Sequence, residues 1–165
     1  MKFFQSIPTL ILLLVLSSAC TSEEVGKEPE VEKERENVFP LTLKHELFEI
    51  STPEGFKLTR EQGIDTYIGR ITNGELTIYY DIGHNSFPGI DQMKEMDHYL
   101  YMEYLEVDGN PALMIKETRT DMDTRLSIFI DGGEWERNRL YVHDPVDDEL
   151  IKEIFKTHRF TDEGL

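Results

Sequence analysis

Ile64-Asp-Thr-Tyr-Ile-Gly-Arg-Ile-Thr72, then Asn73-Gly74, then Glu75-Leu-Thr-Ile-Tyr-Tyr-Asp-Ile82 is the stretch that decides the fold class. Two runs rich in β-branched and aromatic residues flank a dipeptide whose members both tolerate positive φ, the strongest short hairpin signal. In the second run Leu76, Ile78, Tyr80 and Ile82 fall on one face. Glu75, Thr77, Tyr79 and Asp81 fall on the other, so one side is core and the other is wet or lightly covered.

The same grammar extends in both directions. Upstream, residues 46–51 read as a strand closed by Thr52-Pro-Glu-Gly55, and residues 56–60 restart the chain. Downstream, residues 99–107 form a strand, Asp108-Gly109-Asn110 a hairpin turn and residues 111–119 the return, with Pro111 as its first residue. Residues 125–131 alternate, placing Leu126, Ile128 and Ile130 on one face; Gly132-Gly133 ends that strand and residues 139–143 form the last long one. The chain then closes with a helix. Asp144 is its expected cap and Pro145 its first residue, with Asp147, Asp148 and Glu149 at the positive end of the dipole. Val146, Leu150, Ile151, Ile154 and Phe155 recur at helical spacing and are expected to pack on the sheet. A further short helix is expected over residues 90–97. The fold class is therefore α+β, a mainly antiparallel twisted sheet of hairpins packed by a C-terminal helix.

The N-terminus has a different character. Lys2 precedes an apolar run over residues 10–16, then Ser17, Ser18, Ala19 and Cys20. This is the pattern of a signal peptide, and it is shorter than the roughly 20 apolar residues a spanning helix needs. Leu16-Ser-Ser-Ala-Cys20 resembles the lipobox of bacterial lipoproteins, with Leu16 four residues before the cysteine and Ser17 three before it. That resemblance implies cleavage after residue 19, a diacylglycerol on the Cys20 thiol and an acylated new amino terminus. The alternative is an ordinary secretory signal with a cysteine at its boundary. Because each buried methylene contributes about 0.8 kcal/mol and one chain alone is marginal, several acyl chains would hold the protein stably.

Residues 21–37 hold seven Glu, two Lys and one Arg with almost nothing apolar, so no core forms there. They read as a tether extended by its own charge, reaching roughly 55 Å at about 3.3 Å per residue. Ser22-Glu-Glu24 is similar to export signals of surface lipoproteins, and a plain soluble linker is the alternative. The layout is then signal peptide 1–19, lipidated Cys20 and tether 20–37, and one globular domain 38–165.

Thirty-three acidic residues against 17 Lys and Arg give a net charge of −16. Such a surface repels phosphate backbones and anionic headgroups, which excludes nucleic acid and a polybasic membrane contact as partners. With 39% hydrophobic residues, nine Phe and seven Tyr, the body has material for a sizeable core.

The order of strands and turns resembles the PsbP-like fold. Phe48-Glu-Ile-Ser-Thr-Pro-Glu-Gly-Phe56 matches its opening strand and Pro-Gly-aromatic turn, Val107-Asp-Gly-Asn-Pro-Ala112 its central hairpin, and residues 150–160 its closing helix and terminal aromatic. The resemblance implies a sheet backed by helices more than any chemistry, since a fold hosts many functions, and members of such families are typically non-catalytic assembly or accessory domains.

Motifs for chemistry are missing: there is no Gly-x-Ser-x-Gly, no His-Glu-x-x-His and no phosphate loop. His45, His84, His98, His143 and His158 are not spaced as local metal pairs, so neither metal nor other cofactor is expected. The candidate binding loop follows the hairpin: Asp81 and His84, with Asn85 and Ser86, and His98 approaching if residues 90–97 fold back. A plain turn, with its His and Asp serving backbone groups, is the alternative. Asp121-Met-Asp123 and Asp131-Gly-Gly-Glu134 carry oxygens for calcium without a calcium loop's spacing, and read as polar hairpin tips. Trp135 is either an interface aromatic or a loop residue folded onto the sheet.

Two function classes follow. One is a lipid-anchored accessory or binding module of the bacterial cell envelope, at the outer membrane, monomeric, with a protein partner and no catalysis. The other is an acidic inhibitor or immunity-type protein covering a basic partner, motivated by 26 acidic against 13 basic residues in 38–165; steered binding of that kind loses on-rate steeply with salt.

Overall fold

A computed structural model describes residues 39–61, 63–94, 96–119, 123–133 and 136–161. The chain divides into Met1–Glu34 and Arg35–Leu165, and every described residue belongs to the second unit. The signal segment, Cys20, the tether, Asp121, Glu134 and Trp135 lie outside the described residues. No helix among the described residues is long and apolar enough to cross a membrane.

The body is α+β. Among the described residues ten strands run β1 (Leu41–Lys44), β2 (Phe48–Thr52), β3 (Lys57–Glu61), β4 (Tyr67–Thr72), β5 (Thr77–Ile82), β6 (Tyr99–Val107), β7 (Asn110–Thr118), β8 (Thr124–Asp131), β9 (Arg137–His143) and β10 (Arg159–Phe160), with helix α1 (Asp148–Lys156) before the last. Seven form one sheet in the order β3-β4-β5-β9-β8-β7-β6, and three form another, β1-β2-β10. Every pairing is antiparallel. The β3-β4-β5 meander is completed when the chain crosses to the far edge and returns through β6, β7 and β8, so that β9 docks beside β5.

The two hairpin turns differ. Asp108 (φ 52°) and Gly109 (φ 80°) both adopt positive φ, and Val107 pairs with Asn110 across a two-residue turn. That is the type I′ geometry, whose twist matches the strands. At Asn73-Gly74 only Gly74 is positive, at 95°. The Asn73 carboxamide instead accepts from the backbone N–H of Glu75 (3.0 Å) and Leu76 (2.9 Å), and β5 starts at Thr77. An Asx-type bond has replaced the expected tight turn with a longer loop.

The core lies between the inner face of the large sheet and a layer made of α1 and the small sheet. Phe48 and Ile50 of β2, Ile71, Ile78, Tyr80, Met114, Leu126, Ile128 and Leu140 of the large sheet, and Ile151, Ile154 and Phe155 of α1 are all buried together. Tyr80 lies across Gly69: a Cβ there would sit 2.1 Å from the Thr59 carbonyl and 2.5 Å from the Tyr80 hydroxyl, so only glycine fits. The helix is tied down polarly as well. Thr157 Oγ1 accepts from the Ser51 N–H at 2.9 Å, and Lys116 meets Asp148 at 2.5 Å.

The structure corrects three expectations. The helix cap is Asp147, whose carboxylate accepts from the Leu150 N–H, because Asp144 is engaged elsewhere: it accepts from the Thr124 N–H at 2.9 Å in a φ 43° conformation. Val146 consequently lies before the helix, fully exposed rather than packed on the sheet. The helix expected over residues 90–97 is a three-residue 3-10 turn, Ile90–Gln92, with Gly89 (φ 101°) ahead of it and an extended Met93 behind. Strands β1 and β10 carry no strong pattern of their own and exist by pairing with β2.

The outer face of the large sheet is not simply wet. Phe87 and Ile90 fold over it onto Leu113, Ile115 and Phe129, a second small core. Strands β7 and β8 are therefore buried on both sides at their centres.

Candidate functional site

Beside that second core, strand alternation assembles a group of cations and rings. In β9 the outward residues are Arg137, Arg139, Tyr141 and His143, and in β8 they are Arg125, Ser127, Phe129 and Asp131. Register places Ser127 opposite Tyr141, Phe129 opposite Arg139, and Arg125 opposite His143. On the flanking strands Tyr79 and Asp81 stand opposite Tyr141 and Arg139, and Glu117 stands opposite Arg125. Side chains opposite or diagonal across strands lie within each other's reach.

Arginine stacking organises the group. The Arg139 guanidinium lies 4.8 Å from the Tyr141 ring centre and 5.3 Å from that of Phe129, and Arg125 lies 5.7 Å from Tyr141. Tyr141 in turn stacks on Tyr79 with centres 5.3 Å apart. Such cation–ring contacts are worth about 0.5–2 kcal/mol each, the upper end when water is excluded.

The two arginines are paired differently. Arg125 donates from Nε to Glu117 Oε1 at 2.7 Å and binds the same oxygen through its terminal nitrogen. Arg139 makes no ion pair with another described residue, and its Nε is buried without a hydrogen-bond partner. Burial, then the nearby Arg125 charge, holds the Arg139 pKa below its ordinary value. Burial, then Glu117, pushes the Tyr99 hydroxyl up.

Between these residues lies a cavity of about 180 Å³, walled by Arg125, Arg139, Ser127, Glu117, Tyr99 and Phe87 among others. The segment after β5 roofs it. The Gly83 N–H and the Ser86 hydroxyl both donate to the Arg137 carbonyl at 2.9 Å, which brings Phe87 over the sheet. Ser127 is 2% exposed, and its hydroxyl has no partner. A wider groove of about 540 Å³ opens between the start of α1 and the β4–β5 loop, bordered by Phe56, Leu76, Tyr79, Val146 and Leu150. It has more room but no buried unpartnered polar group on its walls.

The sequence-predicted residues fall around the smaller cavity unequally. Asp81 lies beside Arg139 in the register, with Oδ1 buried and unpartnered. Exposed His98 reaches Glu117 at 3.5 Å and borders an adjoining cavity that shares Glu117. His84 is half-buried in the turn after β5 and lines none of these walls. Among the described residues no three His, Cys, Asp or Glu side chains gather as metal ligands.

Sequence reading missed Arg125, Ser127, Arg139 and Tyr141. The signal was present: the alternation that sends Leu126, Ile128 and Ile130 inward sends Arg125, Ser127 and Phe129 outward together.

No family model and no curated protein matches the chain. Among solved structures it is similar to a crystal structure of a protein from Bacteroides thetaiotaomicron VPI-5482, at 15% identity and a TM-score of 0.45, over 72% of this chain and 46% of the other. The chain thus spans under half that protein's length.

Proposed function

We propose that the chain is a lipid-anchored domain of the bacterial cell envelope that works by binding, without catalysis, through the outer face of its large sheet. One observation carries the binding role: an acidic chain concentrates Arg125, Arg137 and Arg139 with Tyr79 and Tyr141 on one sheet face. Arginine and tyrosine are the residues that dominate binding surfaces, because they combine apolar area with directed hydrogen bonds.

A PsbP-like fold belongs to the same reading. It is supported by the Pro53-Glu54-Gly55-Phe56 link between β2 and β3, by the Asp108-Gly109 hairpin and by the closing helix.

The anchor rests on Leu16-Ser-Ser-Ala-Cys20 and the charged tether behind it, which has almost nothing apolar. Intact-mass measurement of the mature protein should find a chain starting at Cys20 with added acyl mass, and detergent phase separation should place it with the detergent. Cys20→Ser should remove that mass and leave the protein uncleaved or processed elsewhere. Wild-type protein without acyl mass, partitioning wholly into water, would overturn the anchor.

A further inference from the structure

Three features of the outer-face cavity are unexplained by folding alone. The Arg139 guanidinium is held half-buried with its Nε unpartnered and no carboxylate hydrogen-bonded to it among the described residues, although taking a cation from water is costly unless it is compensated. A serine hydroxyl is sealed on the same wall without a hydrogen-bond partner, a shortfall that normally costs stability. The space between them is large enough for a small molecule and is roofed by a segment fixed at Gly83 and Ser86.

We propose that this cavity is a binding site for a monocarboxylate carried on a short apolar stem, held by Arg139 and Ser127. The proposal deepens the binding role of the outer sheet face and rests on it.

Geometry supplies the two contacts. Ser127 and Arg139 are diagonal neighbours across β8 and β9, since Ser127 is opposite Tyr141 and Phe129 is opposite Arg139. A carboxylate between them accepts two donors at once, and the planar guanidinium matches its two oxygens. Tyr141, two residues along the same strand, and Phe129, opposite on β8, both lie within cation–ring distance of the guanidinium and restrict it before a ligand arrives.

Charge selects the class. Arg125 already shares its proton donors with Glu117, so the guanidinium whose donors are left open to a ligand on this wall is that of Arg139. A phosphate dianion would bring a second negative charge towards Glu117 on the wall and Asp81 opposite Arg139, so the site favours the smaller charge. The remaining walls include Phe87, Pro88, Ile115 and Phe129, which suit a hydrocarbon stem.

Carboxylate of this kind has two sources, a free small acid or the side chain of an acidic residue on a partner protein. Titrating the full-length protein in detergent micelles distinguishes them, with the arginine Nε–H resonances as the readout. Propionate represents the free acid, glutamate blocked at both backbone ends represents the side chain, and sodium chloride at equal ionic strength is the control. Either carboxylate should move the Arg139 Nε–H signal saturably, and the one that binds tighter names the source. Arg139→Gln, followed through the Arg125 Nε–H signal on the same cavity wall, should weaken binding at least tenfold. Ser127→Ala, which only removes an oxygen and leaves the strand and its packing in place, should weaken it severalfold.

No saturable shift at 100 mM of either acid overturns the proposal, as does phosphate binding tighter than both. Equal affinity in Ser127→Ala and wild type overturns it too. These results would leave the outer face standing as a partner surface, because contact with a macromolecule there is read separately, by crosslinking.

Discussion

Phe155→Ala is expected to destabilise the body by about 3–5 kcal/mol, the usual range for removing a fully buried phenylalanine. The side chain is 0% exposed and sits with Ile151 and Ile154 against Phe48 and Ile50 of β2 and the inner face of the large sheet. The loss has two parts, the transfer of the ring's apolar surface and the cavity that the sheet cannot close. Since a domain of this size has roughly 5–15 kcal/mol in total, the variant stands near the edge of unfolding. Urea denaturation at pH 7 measures it. A change below about 1 kcal/mol would mean that α1 is not part of the core, and would undo the layered arrangement.

Acid should have the next largest effect, through a histidine. His158 is 0% exposed, lies between Phe48 (ring centres 5.3 Å) and Phe160 (4.7 Å), and has Asn138 Nδ2 2.9 Å from its Nε2. With its proton on Nδ1, the ring accepts from the Asn138 amide. Burial in this apolar surround lowers its pKa from 6.5 to about 3. The neutral form is therefore the folded form. Below pH 6.5 the unfolded chain takes up a proton that the folded chain refuses, so stability present above 6.5 is lost as pH falls towards 3. The slope is about 1.4 kcal/mol per pH unit, or about 3 kcal/mol between pH 6.5 and 4. His45 adds in the same direction, its pKa lowered by burial and then by Arg60. Unfolding measured from pH 7 to 4 should show this slope, and His158→Gln should flatten it. An unchanged slope in that variant would remove His158 as the cause.

Much of the fold was legible because turn chemistry is local. Asp108-Gly109 announced its hairpin, and the strand it opens from, residues 99–107, has the expected bounds. The buried stripe of α1 was legible in Ile151, Ile154 and Phe155, because helical spacing alone sets which residues share a face. Where two residues could do one job, tertiary bonding chose between them. Asp144 and Asp147 are both good caps, and the bond from Thr124 decided the matter.

The candidate site was hidden for a different reason. Asp81 and His98 were found because they flank turns; His98 borders one outer-face cavity, and Asp81 stands opposite Arg139, which walls the other. The residues that build the main cavity sit inside strands. Which outward residue of β8 meets which of β9 depends on register, and nothing in either strand alone fixes it. Phe87, which roofs the cavity, belongs to a segment with no periodicity at all. The pairing of β5 with β9, which brings Tyr79 to Tyr141, joins segments more than 50 residues apart in sequence.

The central claim is that an anchored chain engages a partner through the outer sheet face. Site-specific photocrosslinking in intact envelopes tests it most directly, with a photoreactive phenylalanine in place of His143, which is exposed beside Tyr141 on that face. The same group in place of exposed Tyr67, whose strand position belongs to the inner face, serves as the comparison. A discrete adduct of higher mass from position 143, absent at position 67, is the predicted result. No adduct at 143, or equal adducts at both positions, would contradict it.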